Sequence, residues 1–333
     1  MVETSKNAKL PPKAPDRIEI DDAPRATSLF VNGHFPRRRA LVVGLSALAG
    51  FLLTVIWSAE FVDSVIGDNV ANTLLGHDAK ETPIAGMAAG IAFALVSGVA
   101  GTFTACNIAA FGALAPLVGG SHTVRARIAH MLKPLGWMSA GMLVVSAAYG
   151  VVVALVGTGM PQFSTAPSVP GELSARTVQT MIIYGLIGLV MIYLGLAAAG
   201  VVKDPLARIS ARHPNAPMVL MGALIGAFLI GRPFPLFRQM FRDAAESGNV
   251  LYGAAAFMLQ SIGNIAVITI LFVVFGLMMG GRVQRWISAK PSRAAVLIAA
   301  AFIVAGVFMV LYWDVRVLAR REIIPWYPMA PWA

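Results

Sequence analysis

The sequence predicts an all-α polytopic membrane protein with about seven transmembrane helices, arranged as one leading helix followed by a three-plus-three inverted repeat with broken helices. Three observations carry this expectation. Hydrophobic residues fill 57% of the 333 positions against 13% charged, with a mean hydropathy of +0.74; a soluble domain needs more polar surface than that. The apolar residues gather into seven runs of membrane-spanning length, since a bilayer core about 30 Å thick takes roughly 20 apolar residues per helix. Two of those runs are interrupted at corresponding places in the two halves of the chain.

Residues 1–38 are polar and Pro-rich and predict a disordered cytoplasmic arm with no signal peptide. The apolar runs follow at 39–58, 84–117, 135–157, 178–202, 216–233, 250–280 and 294–313. The first is the leading helix, 84–202 the first three-helix repeat and 216–313 the second. Basic residues set the orientation. Arg37, Arg38 and Arg39 precede the first run, and the acidic stretch with Glu60, Asp63, Asp68, Asp78 and Glu81 follows it. Alternating from there, Arg125, Arg127 and Lys133, then Lys203, Arg208 and Arg212, then Arg282, Arg285, Lys290 and Arg293 all fall on the inner side. The expectation is a multi-pass protein of a bacterial-type inner membrane, N-terminus cytoplasmic. Its extracytoplasmic tail, 314–333, is aromatic and basic, and Trp313 just before it with Trp326, Tyr327 and Trp332 within it suit an interfacial belt.

The run 84–117 would make a straight helix about 50 Å long at 1.5 Å per residue. It is broken by Gly98, Gly101 and the polar segment TFTACN, with Gly112 and Pro116 beyond. The run 216–233 stops at GRPFPLF, where Pro233 and Pro235 forbid continuous helix and Arg232 is costly against lipid. Each repeat holds three helices, an odd number, so the second triplet enters from the opposite side. In inverted repeats of this kind the broken helices meet near the midplane and form the functional site. The expected lining is Gly101, Thr102, Thr104 and Asn107 from the first break and Arg232, Pro233, Phe234 and Pro235 from the second. Gln260 and Asn264, four residues apart and so on one face of the sixth run, complete it; helix-to-helix hydrogen bonding is the alternative role for those two.

The small-residue approach AGIAFALVSGVAGTFTACN with its mid-helix Cys106, the Pro-centred break GRPFPLF in the second half and the three-plus-three topology resemble the CcdA/DsbD transmembrane family. The resemblance covers roughly 84–313. It implies a membrane carrier of reducing equivalents between cytoplasmic thioredoxin and exported thiol proteins, including those of cytochrome c maturation, with Cys106 as its catalytic thiol. The family carries a Pro-Cys pair in each broken helix. Here Ala105 precedes Cys106, and Phe234 follows Pro233. Cys106 is the chain's single cysteine, so no intramolecular dithiol forms and any redox step needs a partner thiol. Two other readings stay open: a non-redox integral subunit or assembly factor of a larger membrane complex, and an inverted-repeat transporter of small solutes. A buried thiol that packs as a small hydrophobe is the plain reading of Cys106 itself.

Partners are therefore expected to be membrane lipid and other proteins. The net charge of +10 is absorbed by the inner loops and does not point to nucleic acid. No metal cluster, phosphate-cradling loop or cofactor motif is present in the sequence. His34, His77, His122, His130 and His213 all fall in tails or loops of this topology, which argues against a bis-His haem.

Overall fold

A computed structural model describes residues 28–103, 124–164 and 169–333, and every regular element among them is helical. The helices are α1 (Arg39–Ile56), α2 (Asp68–Leu75), α3 (Gly86–Ala100), α4 (Val124–Val156), α5 (Ala175–Ala198), α6 (Ala207–Arg212), α7 (Ala216–Ala227), α8 (Pro235–Ser247), α9 (Val250–Ser288), α10 (Ser292–Val310) and α11 (Arg316–Arg320). Five are long and apolar enough to cross a membrane, six if α7 and α8 are one broken span bent by 83°. The seventh expected span is represented by the shorter apolar helix α3; the remainder of that run, with Thr104, Cys106 and Asn107, lies outside the described residues.

The helices show their solvent by which residues face outward. On α1, Leu41, Leu45, Leu48 and Leu52 recur every three or four residues and are half exposed, while Ser46, Gly50 and Thr54 are buried. A water-soluble helix hides its leucines; a lipid-facing one turns them out and packs its small residues inward.

Glycines make that inward packing close. A Cβ on Gly222 of α7 would stand 2.7 Å from the carbonyl carbon of Met138 on α4, and one on Gly98 of α3 would stand 2.8 Å from that of Gln260 on α9. Gly150 of α4 and Gly253 of α9 abut each other, as do Gly188 of α5 and Gly306 of α10. The pairing directions are equally regular. Helix α3 runs parallel to α9, Gly90 lying at Tyr252 and Gly98 at Gln260, and α4 runs parallel to α7, with Gly222 at Met138 and Gly226 at Met142. The pairs α4 with α9 and α5 with α10 run antiparallel. Exchanging α3 with α7, α4 with α9 and α5 with α10 maps this set of packings onto itself, which is the signature of an inverted repeat. Helix α1 lies outside the repeat and packs along α10, where Val304 and Val307 face Gly50.

Several boundaries differ from those expected. Helix α4 begins at Val124, within the stretch read as a basic loop, and continues through Pro134; α9 runs on to Ser288. Residues 28–38, expected as the end of a disordered arm, fold onto the bundle. Phe30 and Val31 are buried, and Phe30 meets Phe302 edge-on at 5.2 Å. The stretch after α1, expected as an outer loop, is a π-helical turn (Phe61–Gly67) followed by α2.

The expected external tail is the largest departure. Helix continues beyond residue 313 through a π-helical turn, Leu311–Val315, into α11. Arg316 is fully buried and donates to Thr54 O at 2.6 Å and Trp57 O at 2.9 Å, taking up carbonyls that the end of α1 leaves open. Tyr327 is buried against Thr54, with 2.5 Å between the hydroxyls, so it is core and not interfacial belt. Trp326 and Trp332 do remain exposed.

Candidate functional site

The two breaks meet. Helix α3 ends in a 3₁₀ turn, Gly101–Phe103, and α7 ends in another, Phe228–Gly231. Arg232 follows the second turn and its Nη2 donates to Gly101 O at the end of the first, at 2.6 Å. The guanidinium stacks over the rings of Phe234 at 5.5 Å and Phe237 at 5.9 Å. A Cβ on Gly101 would collide with it, which explains why that position carries no side chain.

Electrostatics account for a buried cation here. Arg232 is 6% exposed, and an isolated charge at that depth costs several kcal/mol. Helices α3 and α7 approach it by their C-terminal ends, whose open carbonyls carry a partial negative charge of about half a unit each, while α8 starts beside it at Pro235. The guanidinium is thus the counter-charge to two converging helix dipoles, one from each repeat.

The other sequence-predicted residues take distinct places around this contact. Pro233 lines the cavity beside Arg232, Phe234 is buried as a wedge against Gly67 and Gly101, and Pro235 opens α8 at its first position. Thr102 Oγ1 lies 3.2 Å from Gly98 O and 3.4 Å from Asn264 O, tying the break to α9. Asn264 lines the cavity; Gln260, fully buried, packs its backbone against Gly98, and its side-chain amide finds no partner among the described residues. Gly101, Thr102, Arg232, Phe234 and Asn264 therefore form one cluster, and Gln260 sits one turn away from it.

Beside Arg232 a cavity of about 60 Å³ opens between the repeats and the stretch after α1. Trp57, Asp63, Tyr184, Phe308, Tyr312 and Trp313 contribute to its wall, and none was expected as a site residue. The signal for Asp63 was weak but present: in FVDSVIG the apolar residues recur at helical rather than loop spacing. Burial pushes the Asp63 carboxyl up to about 6, and the attraction of Arg232 limits the rise. The two do not form an ion pair; the one pair among the described residues joins Lys80 to Asp68. Arg238 and Arg242, in line for pairing with Asp243 and Glu246, make no such pair either: Arg238 lies 3.5 Å from Ser164 O, and Asp243 accepts from the Tyr252 hydroxyl. No group of His, Cys, Asp and Glu among the described residues is arranged to hold a metal ion.

No family model matches the chain, and no curated protein or solved structure is significantly similar to it.

Proposed function

We propose that this integral membrane protein is a CcdA-like component of thiol–disulfide transfer, of the kind that serves cytochrome c maturation, with Cys106 as its single reacting thiol. The observation that carries the reading is the Arg232–Gly101 contact. A thiol in apolar surroundings is held protonated and inert unless a cation lies near it, and the second repeat delivers a buried guanidinium to the turn from which Cys106 follows five residues on.

One cysteine suffices if the partners supply the others. The Cys106 thiolate attacks a partner disulfide, whose S–S bond breaks as a mixed disulfide forms and the departing partner sulfur takes a proton. A dithiol donor then attacks the Cys106 sulfur of the mixed disulfide, which releases the partner's second thiol. The donor's other thiol displaces Cys106. The donor has lost two electrons, the partner has gained two, and Cys106 is restored. The orientation in this reading is N-terminus inside a bacterial inner membrane, as the basic loops argue.

Rapid acid quenching and alkylation of cells should trap a partner adduct on the wild-type chain. The adduct should be absent from Cys106→Ala at matched abundance, together with loss of cytochrome yield. A silent Cys106→Ala with no adduct in wild type refutes the redox reading. It leaves the non-redox subunit of a membrane complex, for which the aromatic and basic surfaces at the two ends of the bundle provide docking area.

A further inference from the structure

A second cavity, larger than the one beside Arg232, lies away from the two breaks. It holds about 540 Å³ and lies at the opposite, basic end of the bundle, between α4, α6 and the start of α7. Trp137, Leu206, Ile209, Pro217, Leu220 and Ala223 supply most of its wall. An apolar cavity of about 150 Å³ already admits benzene, so this one takes a long stretch of hydrocarbon. Its open side keeps Trp137, Ile209 and Leu220 exposed, at 43%, 50% and 37%.

The flanking residues have the opposite character. His213 is part of the wall, and four exposed cations adjoin wall residues along the chain: Lys133 lies one turn before Trp137 on α4, Lys203 precedes Leu206, and Arg208 and Arg212 sit beside Ile209 and His213. The acid among them, Asp204, is already occupied by the backbone N–H groups of Ser28 and Leu206, each at 2.9 Å. An apolar slot beside a cluster of cations that outnumbers its one acid among the described residues matches an amphiphile with a hydrocarbon tail and an anionic head. A free phosphate would leave the slot empty, and a neutral lipid would leave the cations unanswered. Basic pockets between membrane helices hold anionic lipid heads in this way.

We infer that this groove is a specific site for one anionic phospholipid, its acyl chain along Trp137 and Leu220 and its phosphate at Arg208 and Arg212. The bound lipid also has a structural consequence. It bridges α4 of the first repeat to α6 and α7, which lead into the second, and so joins the two halves at the basic end as Arg232 does at the breaks.

The test is native mass spectrometry of the full-length chain in detergent, with equimolar phosphatidylglycerol and phosphatidylcholine of identical chains. One phosphatidylglycerol should remain bound at collision energies that strip phosphatidylcholine. Arg208→Gln and Arg212→Gln should each weaken its retention about fivefold, since a basic residue near an anionic lipid surface contributes roughly that factor. Ile209→Trp, placed on the half-exposed face of the short helix α6, should fill the slot and abolish retention while the thermal unfolding profile stays that of wild type. Brominated phosphatidylglycerol should quench fluorescence in wild type and quench less in Trp137→Phe. Equal retention of the two lipids overturns the proposal, as does retention unaffected by Ile209→Trp, or quenching that does not depend on Trp137.

Discussion

Gly222→Ala tests the packing on which the repeat depends. The added Cβ would stand 2.7 Å from the Met138 carbonyl carbon, whereas non-bonded carbons rest at about 3.5–4.0 Å. The Met138 carbonyl oxygen is nearer still, so helices α4 and α7 must part by at least about 1 Å. A gap of that size forfeits a quarter to a half of the dispersion energy of each contact across it, at a crossing where Met138, Met142, Met218 and Met221 are all buried. Overpacking of this kind costs about 1–3 kcal/mol, and the better helix propensity of alanine returns up to about 1 kcal/mol. The expected net loss is about 1–2 kcal/mol.

Gly136→Ala is the internal control. It lies on α4, the helix that Gly222 packs against, with nothing within 4 Å of its virtual Cβ, so it should gain up to about 1 kcal/mol from propensity alone. At roughly 2–4 °C per kcal/mol, the two variants should differ by several degrees in detergent-solubilised thermal unfolding. Because Gly98 meets Gln260 as Gly222 meets Met138, Gly98→Ala should fall within a degree or two of Gly222→Ala. Equal Tm values for Gly222→Ala and Gly136→Ala refute the close-contact argument; a silent Gly98→Ala beside a damaging Gly222→Ala refutes the equivalence of the two halves.

Arg316→Leu should lower stability by about 2–4 kcal/mol, read as loss of the folded peak on heating and size exclusion, because two carbonyls at the end of α1 lose a charged donor. Gln260→Met, which replaces a buried amide that has no hydrogen-bond partner among the described residues by an apolar side chain of similar length, should be neutral or stabilising by about 1 kcal/mol in the same assay. Asp63→Asn should flatten the dependence of stability on pH. The folded carboxyl titrates near 6 instead of 3.8, so the penalty for burying its charge is absent at pH 4, grows as pH rises and is complete above 6. The variant should match wild type at pH 4 and exceed it at pH 7.5 by up to about 3 kcal/mol.

What the sequence disclosed and what it hid divide along physical lines. Hydrophobic runs and helix breakers act locally, so α1, α5, α7 and the interruptions at Gly101 and Pro233 could be read directly. Helix ends could not: charged residues usually mark the interface, yet Arg127 and Lys133 lie within α4, because a helix leaving the bilayer satisfies its own backbone in water as well as in lipid. Arg316 and Tyr327 misled for a related reason. A basic and aromatic segment resembles an interfacial tail, and only the open carbonyls of α1, more than 250 residues earlier, turn it into core. Asp63 joined the site through the fold of the stretch after α1, which no periodicity within the two repeats announces. The paired glycines were visible as letters, but their matching between α3 with α9 and α4 with α7 requires knowing which helices touch.

Arg232 links this architecture to chemistry. Its bond to Gly101 joins one repeat to the other, and parting the two breaks would strand a guanidinium and a helix-end carbonyl together in a low-dielectric interior, where each unpaired group costs several kcal/mol. The breaks therefore stay closed unless another acceptor takes the place of Gly101 O. Under the proposed function a thiolate is such an acceptor, since a negative sulfur attracts the guanidinium more strongly than a neutral carbonyl does. Deprotonation of the thiol and release of the latch would then favour one another, each making the other less costly. A neutral side chain at 232 would remove both the latch and the counter-charge, whereas Phe234 supplies a ring against which the guanidinium rests. What the two breaks share is thus a site built around one buried cation.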